Sequence, residues 1–140
     1  MKAIVVGAGG AARDLLRRLS DRWAVTLVDT DPALLERAGA VREVEAIEGD
    51  GSSRITLGRA GIQEADALVA AAGDDDVNLE ICRLALAAGL IRVVAVAADP
   101  ERVGDYRDLD VPAFAPDSLA ARQLEIHLEP RRIASSAFAD

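Results

Sequence analysis

Met1-Lys-Ala-Ile-Val-Val-Gly-Ala-Gly-Gly-Ala-Ala-Arg-Asp14 opens the chain with an apolar run, a glycine-rich turn and the start of an amphipathic helix. The β-branched run predicts a short buried strand. The turn reads G-x-G-x-x-A. Gly7 allows a tight bend, Gly9 leaves no Cβ between a phosphate and the helix N-terminus, and Ala12 lets the helix pack closely on the strand. The stretch therefore predicts a strand, turn and helix whose backbone amides bind phosphate.

An acidic residue about 20 positions beyond such a turn supports this interpretation, because its carboxylate accepts hydrogen bonds from ribose hydroxyls. Asp29 meets the requirement at the end of the apolar run Ala24–Val28. No Arg or Lys lies between Asp29 and Glu36, so a ribose 2′-phosphate would be repelled and an NAD-type ligand is favoured over an NADP-type one. Asp31 precedes Pro32, which is the pattern of a helix N-cap, so we favour capping over ligand contact for Asp31.

Length and composition restrict the function further. A chain of 140 residues and 14.7 kDa corresponds to one domain, too short for a dinucleotide-binding domain with a separate substrate domain. The formal net charge of −8 argues against a nucleic-acid partner. The single cysteine, Cys82, excludes an internal disulfide and a thiolate metal cluster. No apolar segment is long enough to cross a bilayer, so we expect a cytosolic protein without direct membrane insertion.

Apolar runs alternate with helical patterns along the rest of the chain. After the first strand, strands are predicted at Ala24–Val28, Val41–Ile47, Ala67–Ala72, Arg92–Ala98 and Val111–Phe114. Helices are predicted over Ala11–Leu19, Pro32–Gly39 and Arg54–Ala60, the last with Ser52 or Ser53 as its cap. Further helices are predicted over Asn78–Ala88, after Asp99-Pro100, and over Ser118–Leu128.

This alternation predicts an α/β fold, a Rossmann-like three-layer sandwich in which a six-stranded parallel sheet carries helices on both faces. Asp50 then lies at the carboxyl edge of the sheet, where open parallel sheets bind ligands. We expect residues 1–128 to form this domain and residues 129–140 to be a tail, or a linker to an absent segment.

Further short motifs follow the glycine turn. In order along the chain they are Gly7-x-Gly9-x-x-Ala12-Arg13, Asp29-x-Asp31-Pro32, Gly49-Asp50-Gly51, Ala60-Gly61-Ile62-x-x-Ala65-Asp66, Gly73-Asp74-Asp75-x-x-Asn78-Leu79, Asp99-Pro100-Glu101 and Pro116-x-x-Leu119-Ala120. Together they resemble the TrkA-N domain, also called RCK-N or KTN. The resemblance implies a cytosolic nucleotide-sensing regulator, not an enzyme, which controls a potassium or other cation channel or transporter at the inner face of the membrane. It implies NAD(H) as the first expected ligand, with ATP, ADP or AMP as the alternative.

The resemblance also implies which residues would hold each part of the nucleotide. The glycine turn would hold the phosphates, Asp29 the ribose, Asp50 with Gly51 the adenine side, and residues from Ala72 onward the far lip. The whole candidate set is Gly7, Ala8, Gly9, Gly10, Ala11, Ala12, Arg13, Asp29, Thr30, Asp31, Asp50, Gly51, Ala72, Gly73, Asp74 and Asn78. The sequence departs from the family pattern at Gly10, where a basic or polar residue is frequent, and at Ala72, where Thr is common. The choice between NAD(H) and ATP, ADP or AMP therefore stays open.

Two other functions remain as alternatives. A small NAD-dependent oxidoreductase would need a proton-transfer or nucleophilic group near the nicotinamide. Lys2 is the only lysine, Tyr106 has no lysine four residues on, and His127 lies outside the predicted cleft. The sequence therefore offers few candidates for such a group. A ligand-free interaction module would not need the intact glycine turn. Arg13 is equally suited to a phosphate and to the solvent face, and the carboxylates of Asp74–Asp76 fit a helix cap better than a cation site.

The last predicted helix carries Leu119, Leu124 and Leu128, which is more apolar surface than one sheet edge needs. In the resembled family this helix packs against a second subunit, so we expect a homodimer or higher oligomer formed through it. The alternative is that the helix folds back on its own sheet.

Overall fold

A computed structural model describes residues 1–129. The strands in this part are β1 (Lys2–Val6), β2 (Ala24–Asp29), β3 (Glu45–Glu48), β4 (Ala67–Ala70), β5 (Arg92–Val96) and β6 (Ala113–Phe114). The helices are α1 (Gly10–Arg18), α2 (Pro32–Gly39), α3 (Arg54–Arg59), α4 (Asp75–Ala87), a 3₁₀ turn (Pro100–Arg102), α5 (Val103–Arg107) and α6 (Pro116–Leu128). Apart from Glu129, the predicted tail 129–140 lies outside the described residues.

The strands are all parallel and lie in the order β3-β2-β1-β4-β5-β6. Val5 of the central strand β1 pairs with Leu27 of β2 on one side and with Val69 of β4 on the other. After β3 the chain crosses to the far side of β1 and adds β4, β5 and β6 outward. The predicted six-stranded parallel sheet is therefore confirmed. The strand order reverses between β1 and β4, and such a switch point is where open parallel sheets bind ligands.

The sheet separates two apolar layers. Val5 and Leu27 belong to the layer formed with α1 and α2, whereas Ile4 and Leu68 belong to the layer formed with α3, α4 and α5. Helices on both faces confirm the predicted three-layer sandwich. Cys82 is fully buried in the second layer, and burial raises the pKa of its thiol to about 11.

The third strand is shorter than the predicted range Val41–Ile47 and starts at Glu45. Arg42 explains the difference, because its guanidinium is engaged at the end of α1. It donates hydrogen bonds of 2.6–3.2 Å to four backbone carbonyls, those of Leu16, Leu19, Ser20 and Trp23. The segment around Arg42 therefore follows the end of the helix instead of pairing with β2.

Three other strand ends differ from the prediction by two residues. β4 and β5 end two residues before the predicted ends Ala72 and Ala98, because side chains of α4 take the backbone groups that longer strands would use. Asn78 bonds both the N–H and the carbonyl of Ala72 at 2.9 Å, and Asp75 accepts the N–H of Ala98 at 2.8 Å. β6 starts two residues late, since Val111 donates its N–H to a carbonyl of α5 at 3.0 Å.

The last helix, α6, begins at Pro116 rather than at Ser118, with proline in the first turn. None of its described residues is buried, and Leu119, Leu124 and Leu128 are 52%, 63% and 80% exposed. The alternative in which this helix covers its own sheet is therefore wrong. Within residues 1–129, no helix combines the length and the apolar character that crossing a membrane requires.

Candidate functional site

A cleft of about 390 Å³ lies at the carboxyl ends of β1, β2, β3 and β4. Among the candidate residues, its lining contains Gly7, Asp29, Thr30, Asp31, Asp50, Gly51, Ala72 and Gly73. The volume falls in the range of small-molecule sites, about 300–1,000 Å³. A larger hollow of about 580 Å³ lies at the opposite edge of the sheet around Lys2, Thr26 and Glu45, and its lining includes none of the candidates.

The two motif glycines are required for different reasons. Gly7 has a φ of +102°, and a Cβ there would lie 2.2 Å from the carbonyl oxygen of Ala71, so the fold itself demands glycine. Gly9 has a φ of −75°, and a Cβ there would meet no heavy atom of residues 1–129 within 4 Å. The protein's own packing therefore does not require glycine at this position, and the open space agrees with the phosphate-binding role that the motif predicts.

Among the described residues, no side chain caps the N-terminus of α1, whose N-cap is Gly9. The N–H groups of Gly10, Ala11 and Ala12 lie in the first turn, where helix amides lack intrahelical partners and the helix dipole favours an anion. Gly10 and Ala11 are exposed, whereas the side chain of Ala12 is buried in the layer between α1 and the sheet. Ala12 thus has the packing position that the motif predicts.

Arg13 and Ala8 complete the turn. The guanidinium of Arg13 folds back and donates to the carbonyl of Ala8 at 3.2 Å. Of the two positions considered for Arg13, the geometry favours the one beside the turn over the solvent face. The N–H of Ala8 is already donated to the carboxylate of Asp29 at 2.8 Å, so Ala8 shapes the turn and is not a free donor for a phosphate.

The carboxylate of Asp29 accepts hydrogen bonds from two loops. Its Oδ2 accepts the N–H of Ala8, and its Oδ1 accepts the N–H of Asp31, each at 2.8 Å. Each oxygen keeps a second acceptor position, so the half-buried carboxylate can still accept ribose hydroxyls. Asp31 accepts the N–H of Ala33 at 2.9 Å, which confirms its predicted role as the cap of α2. Thr30 lies between the two carboxylates and is exposed on the cleft wall.

The loop after β3 is also held internally. Asp50 accepts the hydroxyl of Ser52 at 2.7 Å and its N–H at 2.9 Å, and these bonds hold the pKa of Asp50 below its ordinary value. Gly51 is required by packing, since a Cβ there would lie 2.2 Å from Cγ1 of Val6. Ser53 is the N-cap residue of α3, as predicted, but its side chain makes no capping hydrogen bond.

The far lip is organised by α4. Asn78 is fully buried, and its Nδ2 donates to the carbonyls of Ala72 and Val96 at 2.9 and 3.0 Å. Asn78 therefore lies under the far lip, where the resemblance places it, and its amide is bonded to backbone groups of the lip and of β5. Asp74 accepts an N–H from the first turn of α4 at 3.1 Å, which is the capping role predicted for the acidic run.

Asp75 has a role that its place in the acidic run Asp74–Asp76 does not predict. It is 6% exposed and accepts the N–H groups of Ala98 and Asp99 at 2.8 and 2.9 Å and the hydroxyl of Tyr106 at 2.6 Å. Burial acts to raise the pKa of Asp75, but these hydrogen bonds outweigh it and hold the pKa below its ordinary value. The partner hydroxyl lies 31 positions along the chain, so no local pattern points to this pair.

The cleft offers hydrogen-bond acceptors to a ligand. The ionisable side chains of the cleft lining are three carboxylates, Asp29, Asp31 and Asp50, and the lining holds no His, Cys, Lys or Arg. Within residues 1–129, no group of three or more His, Cys, Asp or Glu residues is placed to hold a metal ion. An uncapped helix end beside a carboxylate suits a phosphorylated sugar, with phosphate at the helix and hydroxyls at the carboxylate.

Known proteins share this sequence pattern. The family described as the TrkA-N domain matches residues 3–114. The Trk system potassium uptake protein TrkA homolog of Methanothermobacter thermautotrophicus is 29% identical over 127 residues, which cover 89% of this chain and 59% of that protein. The Trk system potassium uptake protein TrkA of Streptomyces coelicolor is 30% identical over 132 residues, 93% of this chain and again 59% of that protein. The chain thus spans less than two thirds of these relatives.

Solved structures share the fold. The Kef CTD of Shewanella denitrificans in its AMP-bound form superimposes with a TM-score of 0.81 at 24% identity, covering 99% of this chain and 91% of that one. The GsuK channel bound to NAD superimposes with a TM-score of 0.68 at 16% identity, covering 82% of this chain and 21% of that one. These likenesses show the fold alone, whereas the family match extends over residues 3–114 of the 140. This chain belongs to the TrkA-N domain family.

Proposed function

We propose that this domain is a nucleotide sensor that binds NAD(H), or alternatively ATP, ADP or AMP, and controls a potassium or other cation channel or transporter. The observation that carries the proposal is the uncapped N-terminus of α1 with open space over Gly9. A helix end of this kind binds phosphate through backbone N–H groups and the helix dipole. The names of the relatives, which are potassium uptake proteins, support the regulatory half of the proposal.

The cleft fits the parts of an adenine nucleotide. The first-turn amides of α1 would hold the phosphates and Asp29 the ribose, with Arg13 adding one guanidinium beside the turn. Leu34 and Val77 give the lining apolar surface that suits a base. NAD(H) is the first choice because Ala72 and Gly73 extend the cleft lining past the turn, on the side where a second nucleoside would lie. Solved structures of the same fold hold AMP in one case and NAD in another.

The regulatory role rests on what the cleft lacks as well as on the family. Its lining residues provide hydrogen-bond acceptors and apolar surface but no His, Cys, Lys or Tyr side chain to transfer a proton beside a nicotinamide. We therefore propose a regulator and not an oxidoreductase. Its partner would be a membrane potassium or cation transporter or channel subunit, with this domain on the cytoplasmic side. We further propose that residues 1–128 act as the binding unit and that residues 129–140 are a tail or a linker to an absent segment.

The experiment that tests the proposal is to denature the purified protein and identify the nucleotide it releases, then to measure the affinity of the stripped protein by calorimetry. We expect NAD(H) or an adenine nucleotide to be released and to rebind. With NADH or NAD+ we expect no hydride transfer to a panel of aldehydes, ketones and hydroxy acids. Steady turnover of about 1 per second or faster would instead support an oxidoreductase.

A first prediction concerns the carboxylate that braces the two loops. Asp29→Asn is expected to weaken nucleotide binding by about 1.5–3 kcal/mol, because the charge that strengthens the hydrogen bonds to ribose is lost. The variant should also lose about 1–2 kcal/mol of stability, because one backbone N–H loses its acceptor. Calorimetric titration measures the first effect, and urea unfolding the second.

The matched control for Asp29 is Asp66→Asn, since Asp66 also accepts a backbone N–H, that of Lys2 at 2.8 Å, at the amino end of the sheet. It should change nucleotide affinity little. Equal affinities for Asp29→Asn and the parent protein would remove Asp29 from the site.

A second prediction concerns self-association through α6. Since Leu124 and Leu128 are largely exposed, we expect a homodimer of about twice the 14.7 kDa chain mass in light scattering at micromolar concentration. Replacing both with Asp should give a folded monomer that still binds nucleotide. Ile91→Asp is the matched control, because Ile91 is 93% exposed but lies between α4 and β5. A parent protein that stays monomeric at high concentration would contradict the dimer.

A further inference from the structure

Three helices follow directly on the strands that meet at the centre of the cleft, β1, β2 and β4. Two of them are closed to anions by their own side chains, since Asp31 caps α2 and Asp74 caps α4. Only α1, of these three, begins with a glycine that leaves its first-turn amides uncapped. Among the helices that follow β1, β2 and β4, only α1 therefore offers its first-turn amides to phosphate; α3, which follows β3, also begins without a side-chain cap but has only six residues.

Carboxylates flank that helix end on both sides. Toward β2 and β3, Asp29, Asp31 and Asp50 belong to the cleft lining. Toward β4, Asp74 follows directly on the lining residue Gly73 and is exposed. Aspartate side chains are ionised at neutral pH. A chain of phosphates that extends beyond α1 in either direction therefore approaches negative charge.

The positive charge available nearby is small. The cleft lining contains neither lysine nor arginine. Arg13 contributes one guanidinium beside the turn, where it donates to the carbonyl of Ala8. The positive charge of one guanidinium and one helix end is enough to balance one or two phosphates. It does not match the four negative charges of ATP, which elsewhere is held by several cationic groups or a metal ion.

We infer that the cleft is selective for nucleotides of low net charge, AMP and NAD+, and discriminates against ATP that carries no divalent cation. The inference rests on the proposed nucleotide-sensing function and names the ligand class of that same site. Its physical basis is Coulomb repulsion between the distal phosphates and the carboxylates, which at surface dielectric is sufficient for about a tenfold change in Kd. The repulsion acts within the Debye length, so added salt weakens it.

The test is calorimetric titration of the stripped full chain with AMP, NAD+ and ATP in excess EDTA, at low salt and again at about 0.5 M salt. We expect ATP to bind about tenfold or more weakly than AMP at low salt, and the ratio of the two Kd values to fall at high salt. In Asp74→Asn the ratio should fall as well. Asparagine keeps an oxygen for the cap of α4, so the helix start is retained while the charge is removed.

Asp66→Asn is the matched control, because it removes the same charge at the opposite edge of the sheet and keeps an acceptor for the N–H of Lys2. The ratio of ATP to AMP affinity should not change in this variant. ATP binding as tight as AMP at low salt, or an equal effect of Asp74→Asn and Asp66→Asn on the ratio, would overturn the inference while the nucleotide-sensing function stands. Failure of AMP, NAD+ and ATP alike to bind would overturn that function and the inference together.

Discussion

Gly9→Val is expected to abolish measurable nucleotide binding while the domain stays folded. The valine side chain would occupy the space in front of the α1 amides, where the proposed phosphates lie, and we expect a loss of about a hundredfold or more, about 2.7 kcal/mol. The backbone at Gly9, with φ of −75° and ψ of −166°, is extended and not left-handed, so its φ does not demand glycine. The stability cost should therefore stay near 1 kcal/mol, the difference between a good and a poor N-cap. Calorimetry and thermal unfolding measure the two effects.

A suitable control is Gly39→Val, at the end of α2, because a Cβ there also meets no heavy atom of residues 1–129 within 4 Å. This variant should bind nucleotide like the parent protein. Unchanged affinity in Gly9→Val would show that the space over Gly9 is not used by the ligand, and the phosphate-binding role of α1 would be lost.

Gly7→Ala is expected to have the opposite profile, with a loss of about 3 kcal/mol or more in the free energy of unfolding. Two costs add, because alanine is strained at a φ of +102° and its Cβ would lie 2.2 Å from the carbonyl oxygen of Ala71, a backbone atom that cannot rotate away. The turn also donates the N–H of Gly7 to the carbonyl of Val28 at 2.8 Å, so relief by local movement disturbs the junction of β1 and β2. Urea unfolding gives the free energy.

Gly9→Ala serves as the control for Gly7→Ala, because it makes the same substitution two residues away at an unstrained position. Its loss of stability should be at most about 1 kcal/mol. Similar stabilities for the two alanine variants would contradict the argument that the fold requires one glycine of the motif and the ligand the other.

The fold was predictable because its signals are local. The β-branched run of β1 and the Asp-Pro pairs at Asp31 and Asp99 each predict an element from a few adjacent residues, and the caps are present at 2.9 Å. The element ends were less predictable. β4 and β5 end where side chains of α4 take over the backbone hydrogen bonds, and such contacts between distant segments leave no periodic pattern in the sequence.

The candidate site was also predictable only in part. The sequence identified which loops meet, since Gly7, Asp29, Asp50 and Ala72 all line one cleft. It did not identify which side chains are already occupied. Asn78 was assigned to the ligand by resemblance, yet its buried amide bonds the backbone of Ala72, which follows β4, and of Val96 in β5, 18 positions away. A motif specifies residue types at positions, whereas burial and hydrogen-bond partners depend on the packing of the whole domain.

The double hydrogen bonding of Asp29 has a thermodynamic consequence. Because Ala8 and Asp31 are already tied to one carboxylate, the glycine turn and the loop after β2 have little conformational freedom left to lose when a ligand arrives. The free energy of ligand contact then contributes to affinity and is not offset by the cost of ordering the site. A site that is preorganised in this way changes shape little on binding. In the proposed function, a signal to a partner protein would therefore originate where the ligand touches less constrained parts of the molecule.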